Sequence, residues 1–117
     1  MHKYFKSDEF TCKCCGSGEV DPLLISILDV VRARRECALK ITSGYRCEKH
    51  NSEVGGVTNS YHTKGQAADI VPADGDVYSL AGELRSIAPA NTCGVIIYSA
   101  DGFVHFDIRA VEYSEVR

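Results

Sequence analysis

The densest run of chemistry-bearing side chains is Ser60-Tyr61-His62-Thr63-Lys64-Gly65-Gln66-Ala67-Ala68-Asp69, which reads S-x-H-x-x-G-x-A-x-D. A loop histidine followed by an aspartate on the next strand can offer one imidazole and one carboxylate to a metal ion. His105, two residues before Asp107, could supply a third ligand. Two imidazoles and a carboxylate leave a fourth zinc position for water, the layout of catalytic rather than structural zinc. The same ligand types form the facial triad of iron oxygenases, so ligand type alone leaves the metal open. Each residue also has a plainer reading. His62 on a polar loop is ordinary surface, and Asp69 caps a turn. Asp107 pairs with Arg109 on a solvated strand face, worth at most about 1 kcal/mol. His2 and His50 lack such company; the second is expected to be exposed on a short helix.

Six cysteines fall at Cys12, Cys14, Cys15, Cys37, Cys47 and Cys93. The cluster Cys12-Lys13-Cys14-Cys15 could form a metal knuckle with Cys37 or Cys47, but it lacks the paired C-x-x-C units of structural zinc sites. The favoured reading is buried thiols or one or two late-forming disulfides.

The elements that must hold these residues can be read from pattern. Asp21-Pro22 is an N-cap followed by proline at the first helical position. Leu24, Ile27, Leu28 and Val31 then recur at i, i+3, i+4 and i+7, which predicts an amphipathic helix over about 22–36. Val77, Leu80, Ala81, Leu84 and Ile87 predict a second over about 76–88, stopped by Pro89. A short helical piece runs from Cys47 to Val54 and ends at Gly55-Gly56. Residues 1–20 look irregular. Strands are expected at Leu39–Thr42, Ala67–Val71, Gly94–Tyr98 and Phe103–Arg109, the last two joined by a hairpin loop at Ser99-Ala100-Asp101-Gly102. In the last strand Val104, Phe106 and Ile108 alternate with His105, Asp107 and Arg109, so one face is core and the other is polar. Without a βαβ rhythm, the expectation is an α+β domain with a small, mainly antiparallel sheet packed with two main helices.

Composition bounds the function. A chain of 117 residues fits one domain, here taken as 1–117. Lys+Arg 13 against Asp+Glu 16 gives a net charge of −3, which offers no electrostatic footprint for nucleic acid. No apolar run is long enough for a membrane span. The charged and aromatic start, MHKYFKSDEF, is unlike a signal peptide, so synthesis in the cytoplasm is expected.

One ordered set of motifs sharpens the reading. Ser43-Gly44-Tyr45-Arg46, His50-Asn51, Val54-Gly55-Gly56, the Ser60–Asp69 motif and Val104-His105-Phe106-Asp107 follow one another. Over about residues 5–110 this closely resembles the zinc D-Ala-D-Ala carboxypeptidases of the hedgehog/D,D-peptidase superfamily, particularly the small wall-peptidase domains of phages and prophages. The resemblance implies one zinc held by His62, Asp69 and His105, and hydrolysis of peptidoglycan stem or cross-bridge peptides by a monomer. It implies action on the wall after export or lysis. Arg46 matches the family arginine that contacts substrate, and Ser60 belongs to the motif around the first ligand. Several branches place an acidic residue or histidine shortly before the last ligand as general base. Here Gly102 stands three before His105 and Asp101 one further back. Asp107 is the expected catalytic carboxylate, as base or as orienter of His105, with Asp101 as rival base. The alternative is a catalytically weak zinc-binding module that recognises cell wall or serves a phage structure.

Overall fold

The computed structural model describes residues 3–16, 18–35, 37–56, 60–88, 92–109 and 113–117. His2, Glu36 at the expected end of the first helix, and the helix stop Pro89 lie outside the described residues. A five-stranded sheet runs in the order β1-β2-β4-β3-β5, with β1 at Leu39–Ser43, β2 at Ala67–Pro72, β3 at Cys93–Tyr98, β4 at Phe103–Ile108 and β5 at Tyr113–Val116. Every pairing is antiparallel except β3 with β5. The fold is α+β, as the element order implied. Strand β5 is the element that the sequence pattern did not show. Its burial is slight, so its residues carry no alternation of apolar and polar side chains.

Period 2 assigns the two faces of the sheet. Ala68 and Ile70 of β2, Val104 and Phe106 of β4, and Val95 and Ile97 of β3 join one buried apolar cluster. Their neighbours Asp69, His105, Asp107 and Ile96 therefore lie on the opposite face. Helix α1 (Pro22–Arg35) sends Leu24, Ile25, Ile27, Leu28 and Val31 into that cluster, and Asp21 accepts the Leu23 N–H at 2.9 Å to start it. Helix α3 (Val77–Ile87) contributes Val77, Leu80, Ala81 and Leu84 and is capped by Asp76, which accepts the Ser79 N–H at 3.0 Å. It packs on β3 and β4 and against α1. Short α2 (Glu48–Glu53) is bounded by Cys47 and Val54. The N-terminal segment holds one 3-10 turn, Ser7–Phe10. The apolar face of the sheet is thus covered by helices, and the polar face is left for chemistry.

Candidate metal centre

Register brings the first two groups together. Asp69 of β2 pairs directly with His105 of β4, so their side chains stand side by side on the polar face. His62 arrives from a 3-10 turn at Tyr61–Lys64, whose start is capped by Ser60: its Oγ accepts the His62 N–H at 3.2 Å. The motif therefore has a local reason. Ser60 starts the turn, His62 rides on it, Gly65 ends it in the left-handed region, and β2 begins at Ala67.

Hydrogen bonds fix which ring nitrogen faces which neighbour. His62 Nδ1 lies 2.8 Å from the Gly44 carbonyl, which can only accept, so Nδ1 carries the proton and donates. Its Nε2 then lies 3.3 Å from Asp69 Oδ1. His105 Nε2 lies 2.7 Å from Asp107 Oδ2, and its Nδ1 3.1 Å from Asp69 Oδ1. One donor atom from each of His62, Asp69 and His105 falls within 4.8 Å of the others. Bonds of about 2.0–2.1 Å from a tetrahedral zinc set its nitrogen and oxygen ligands about 3.4 Å apart. The spacings of 3.3 and 3.1 Å fit that shape.

The carboxylate and the imidazole beside it shift in opposite directions. Burial alone would raise the Asp69 carboxyl, but hydrogen bonds from His105 and His62 outweigh it and hold the group well below the usual carboxylate range. Burial would lower the His105 imidazole, yet hydrogen bonds to Asp107 and Asp69 and their negative charge push it up. Arg46 adds a clamp behind the carboxylate: its guanidinium donates to Asp69 Oδ2 at 3.1 Å, to Ser43 Oγ at 3.0 Å and to Asn51 Oδ1 at 3.3 Å.

Asp107 occupies a different place from a cavity carboxylate. It is 0% exposed, and Arg109 donates to both its oxygens, at 2.7 and 2.5 Å. Burial would raise its carboxyl, but Arg109 and His105 hold it down. The plainer reading of Asp107–Arg109 as a solvated strand pair does not hold for the carboxylate: Asp107 is buried and Arg109 half-buried, with Gly94 of β3 opposite Asp107. A Cβ there would come within 2.4 Å of Arg109 Nε and 2.6 Å of Asp107 Oδ1, so only glycine leaves room for the pair. His50 is half-buried on α2 instead of exposed.

Beside the cluster lies a cavity of about 390 Å³. Arg46, Ser60, His62, Asp69 and His105 all reach its wall, while Asp107 and Asp101 do not. Asp101 is exposed in the β3–β4 turn. Tyr98 and Phe103, stacked with centroids 4.4 Å apart, belong to the apolar part of the lining, and Arg109 and Arg117 add positive charge. Gly44 and Asn51 stood within the ordered motifs but without a role, and sequence reasoning missed Tyr98 and Arg117 as parts of the site. The first acts through a backbone carbonyl and the last comes after the unforeseen β5, so neither left a side-chain pattern to find.

A buried two-imidazole, one-carboxylate cluster opening on a cleft, carried by the polar face of an α+β sheet, has the ligand set of a hydrolytic metal centre. The Peptidase M15 family model matches residues 3–107, and the chain belongs to that family, the zinc D-Ala-D-Ala carboxypeptidases of the hedgehog/D,D-peptidase superfamily. Peptidases of this family are zinc-dependent in general. No curated protein matches the chain. Among the described residues no helix is long and apolar enough to cross a membrane.

Proposed function

We propose that the whole chain acts as one zinc-dependent peptidase domain that cleaves stem or cross-bridge peptides of peptidoglycan, as carboxypeptidase or endopeptidase, in the manner of a phage or prophage wall hydrolase. The observation that carries this reading is the convergence of His62 Nε2, Asp69 Oδ1 and His105 Nδ1 at zinc-like spacing on the wall of a cleft. Zinc bound there supplies a Lewis acid for the scissile carbonyl and lowers the pKa of water toward neutrality.

The chain's own residues do the rest. Gly44 and Asp107 each hold one imidazole by its N–H, so the remaining nitrogen of each ring faces the metal position. Arg46 fixes Asp69 through Oδ2 and leaves Oδ1 to coordinate. It keeps N–H groups over at the cavity wall for a substrate carboxylate, a planar acceptor that suits its fork. Ser60 shapes the His62 turn from the same wall. Arg109 and Arg117 favour an anionic peptide end, and the Tyr98–Phe103 stack gives an apolar side chain a surface to lie on.

One observation favours a second reading. Among the described residues no carboxylate except Asp69 lines the cavity, so no separate carboxylate base faces it. A module that binds wall peptides without turnover would look the same. Mass analysis of products from purified peptidoglycan separates the two. With added zinc the parent chain is expected to release peptide fragments of new mass, and a chelator or His62→Ala to abolish the release. Binding to walls with no new mass at any zinc level would establish the module and overturn the peptidase.

A further inference from the structure

We infer that Cys12, Cys14, Cys15 and Cys47 hold a second zinc ion, a structural one, through four thiolates. One Sγ atom from each lies within 4.8 Å of the other three. The separations of Cys47 Sγ from Cys12 Sγ and Cys14 Sγ are 3.6 and 3.7 Å. Four thiolates bound tetrahedrally at about 2.3 Å from zinc stand about 3.8 Å apart, whereas disulfide sulfurs stand about 2.05 Å apart. Two separate contacts match the tetrahedron edge.

The chain is shaped to present these sulfurs. Residues 12–16 form one tight turn, closed where the Gly16 N–H donates to the Cys12 carbonyl at 2.7 Å, so three cysteines come from one knuckle. Cys47 comes from the loop after β1 and faces that knuckle. Backbone N–H groups also point at sulfur: Cys47 N–H donates to Cys12 Sγ and His50 N–H to Cys47 Sγ, both at 3.4 Å. A closed four-sulfur shell with no open position is the structural type of zinc site. The remaining cysteines stay out of it: Cys93 is buried in β3, and Cys37 Sγ contacts the Ala38 carbonyl. Cys14 also lies within reach of His50 and Glu53, a rival set that a variant can test.

Its place explains what the ion would do. Tyr45 N–H donates to the Phe10 carbonyl at 2.7 Å, and a Cβ on Gly44 would come within 2.6 Å of that same oxygen. The N-terminal segment is therefore laid against residues 44–47. That stretch supplies the Gly44 carbonyl to His62 and Arg46 to Asp69. An ion bridging Cys12 and Cys47 would clamp the two segments together, and its binding would add to the stability of the folded state.

The test is metal stoichiometry on the full chain purified under reducing conditions. Two zinc ions per chain are expected in the parent, and one in each of Cys15→Ser and His62→Ala. His50→Ala should keep both. Because His62→Ala reports the imidazole centre and Cys15→Ser the thiol centre, either assignment can fail alone. Cobalt loading of His62→Ala should give the intense charge-transfer absorption of thiolate–cobalt bonds. In the unaltered chain the exposed Cys14 and Cys15 should react with a thiol reagent only after chelation. One zinc in the parent that is lost entirely in His62→Ala, or immediate reaction of those thiols in zinc-loaded protein, would overturn the proposal. So would loss of the second ion in His50→Ala.

Discussion

The imidazole–carboxylate cluster and the cysteine cluster both draw on one short stretch, residues 43–47, and are built in opposite ways. His105 lies far beyond Asp69 in sequence and meets it because β2 and β4 pair in one register, while His62 is brought in by the 3-10 turn just before β2. Their ligating atoms are oriented by carbonyl, carboxylate and guanidinium partners. The cysteines are mostly local in sequence and ride on a turn and a loop. Cys12 is buried, but Cys14 and Cys15 are exposed. Pre-organisation by a sheet suits a site that must keep an open position for substrate. A site whose task is to join two segments can leave its order to the metal. In this comparison the imidazole–carboxylate cluster would keep its shape without an ion, and the cysteine cluster would not.

The strongest test of the first half is Asp69→Asn. Asp69 touches both imidazoles and Arg46, so the amide would present a donor where a charge must sit. Activity on wall peptides should fall by about a thousandfold or more, and zinc should be lost, while the far-ultraviolet circular dichroism of the fold persists. Retained zinc with retained activity would move the centre elsewhere.

Metal removal tests the difference between the two regions directly. When zinc is stripped from the full chain, amide exchange in residues 3–16 should accelerate to near that of exposed segments. The β2 and β4 amides should keep their protection, because sheet hydrogen bonds and the apolar cluster hold them. Cys12→Ser should reproduce this at a cost of about 2 kcal/mol, or about 10 °C in Tm. Equal deprotection of both regions would mean that the imidazole centre also depends on its ion for shape.

A third effect concerns Asp107. As a positioning group it holds His105 Nε2–H at 2.7 Å, so Asp107→Asn should weaken zinc binding about 10–100-fold. Competition with a chromophoric chelator measures this. Unchanged zinc affinity with lost turnover would instead make Asp107 the base.

What could be read from the sequence follows the same division. Ser60–Asp69 is a contiguous motif, and the alternation in Phe103–Ile108 puts His105 and Asp107 on one face, so the three side chains that converge could be picked out before any coordinates. Both main helices were legible because their apolar residues recur at helical spacing. The burial of Asp107 was not legible: the hairpin that sets Gly94 opposite Asp107 was expected, but not that the Arg109 side chain would fill the space the glycine leaves. Nor was the completed sulfur set, because Cys47 meets the knuckle only through the tertiary path of residues 10–16. The single C-x-x-C unit, Cys12 to Cys15, was there to be read. Its partner could not be chosen between Cys37 and Cys47 from spacing alone.

Gly94→Ala offers the smallest and most discriminating change. The new methyl would enter a space where Arg109 Nε and Asp107 Oδ1 would lie 2.4 and 2.6 Å from it, and a doubly bonded pair cannot retreat without losing hydrogen bonds. Arg109 is the more mobile partner, because part of its guanidinium lies at the cavity wall over the Tyr61 ring. It should swing outward and leave Asp107 bonded to His105 alone. Overpacking of this kind costs about 1–3 kcal/mol. Zinc affinity should fall by only a few-fold, in the same direction as Asp107→Asn, because the His105–Asp107 bond itself survives. The cysteine region, tied to residues 44–47 and not to β3, should show unchanged amide exchange and thiol protection. If Gly94→Ala instead matches Asp107→Asn in zinc affinity, Arg109 is as necessary to the orientation of His105 as the carboxylate. If it leaves both stability and affinity untouched, the tight packing around Gly94 does not govern the centre.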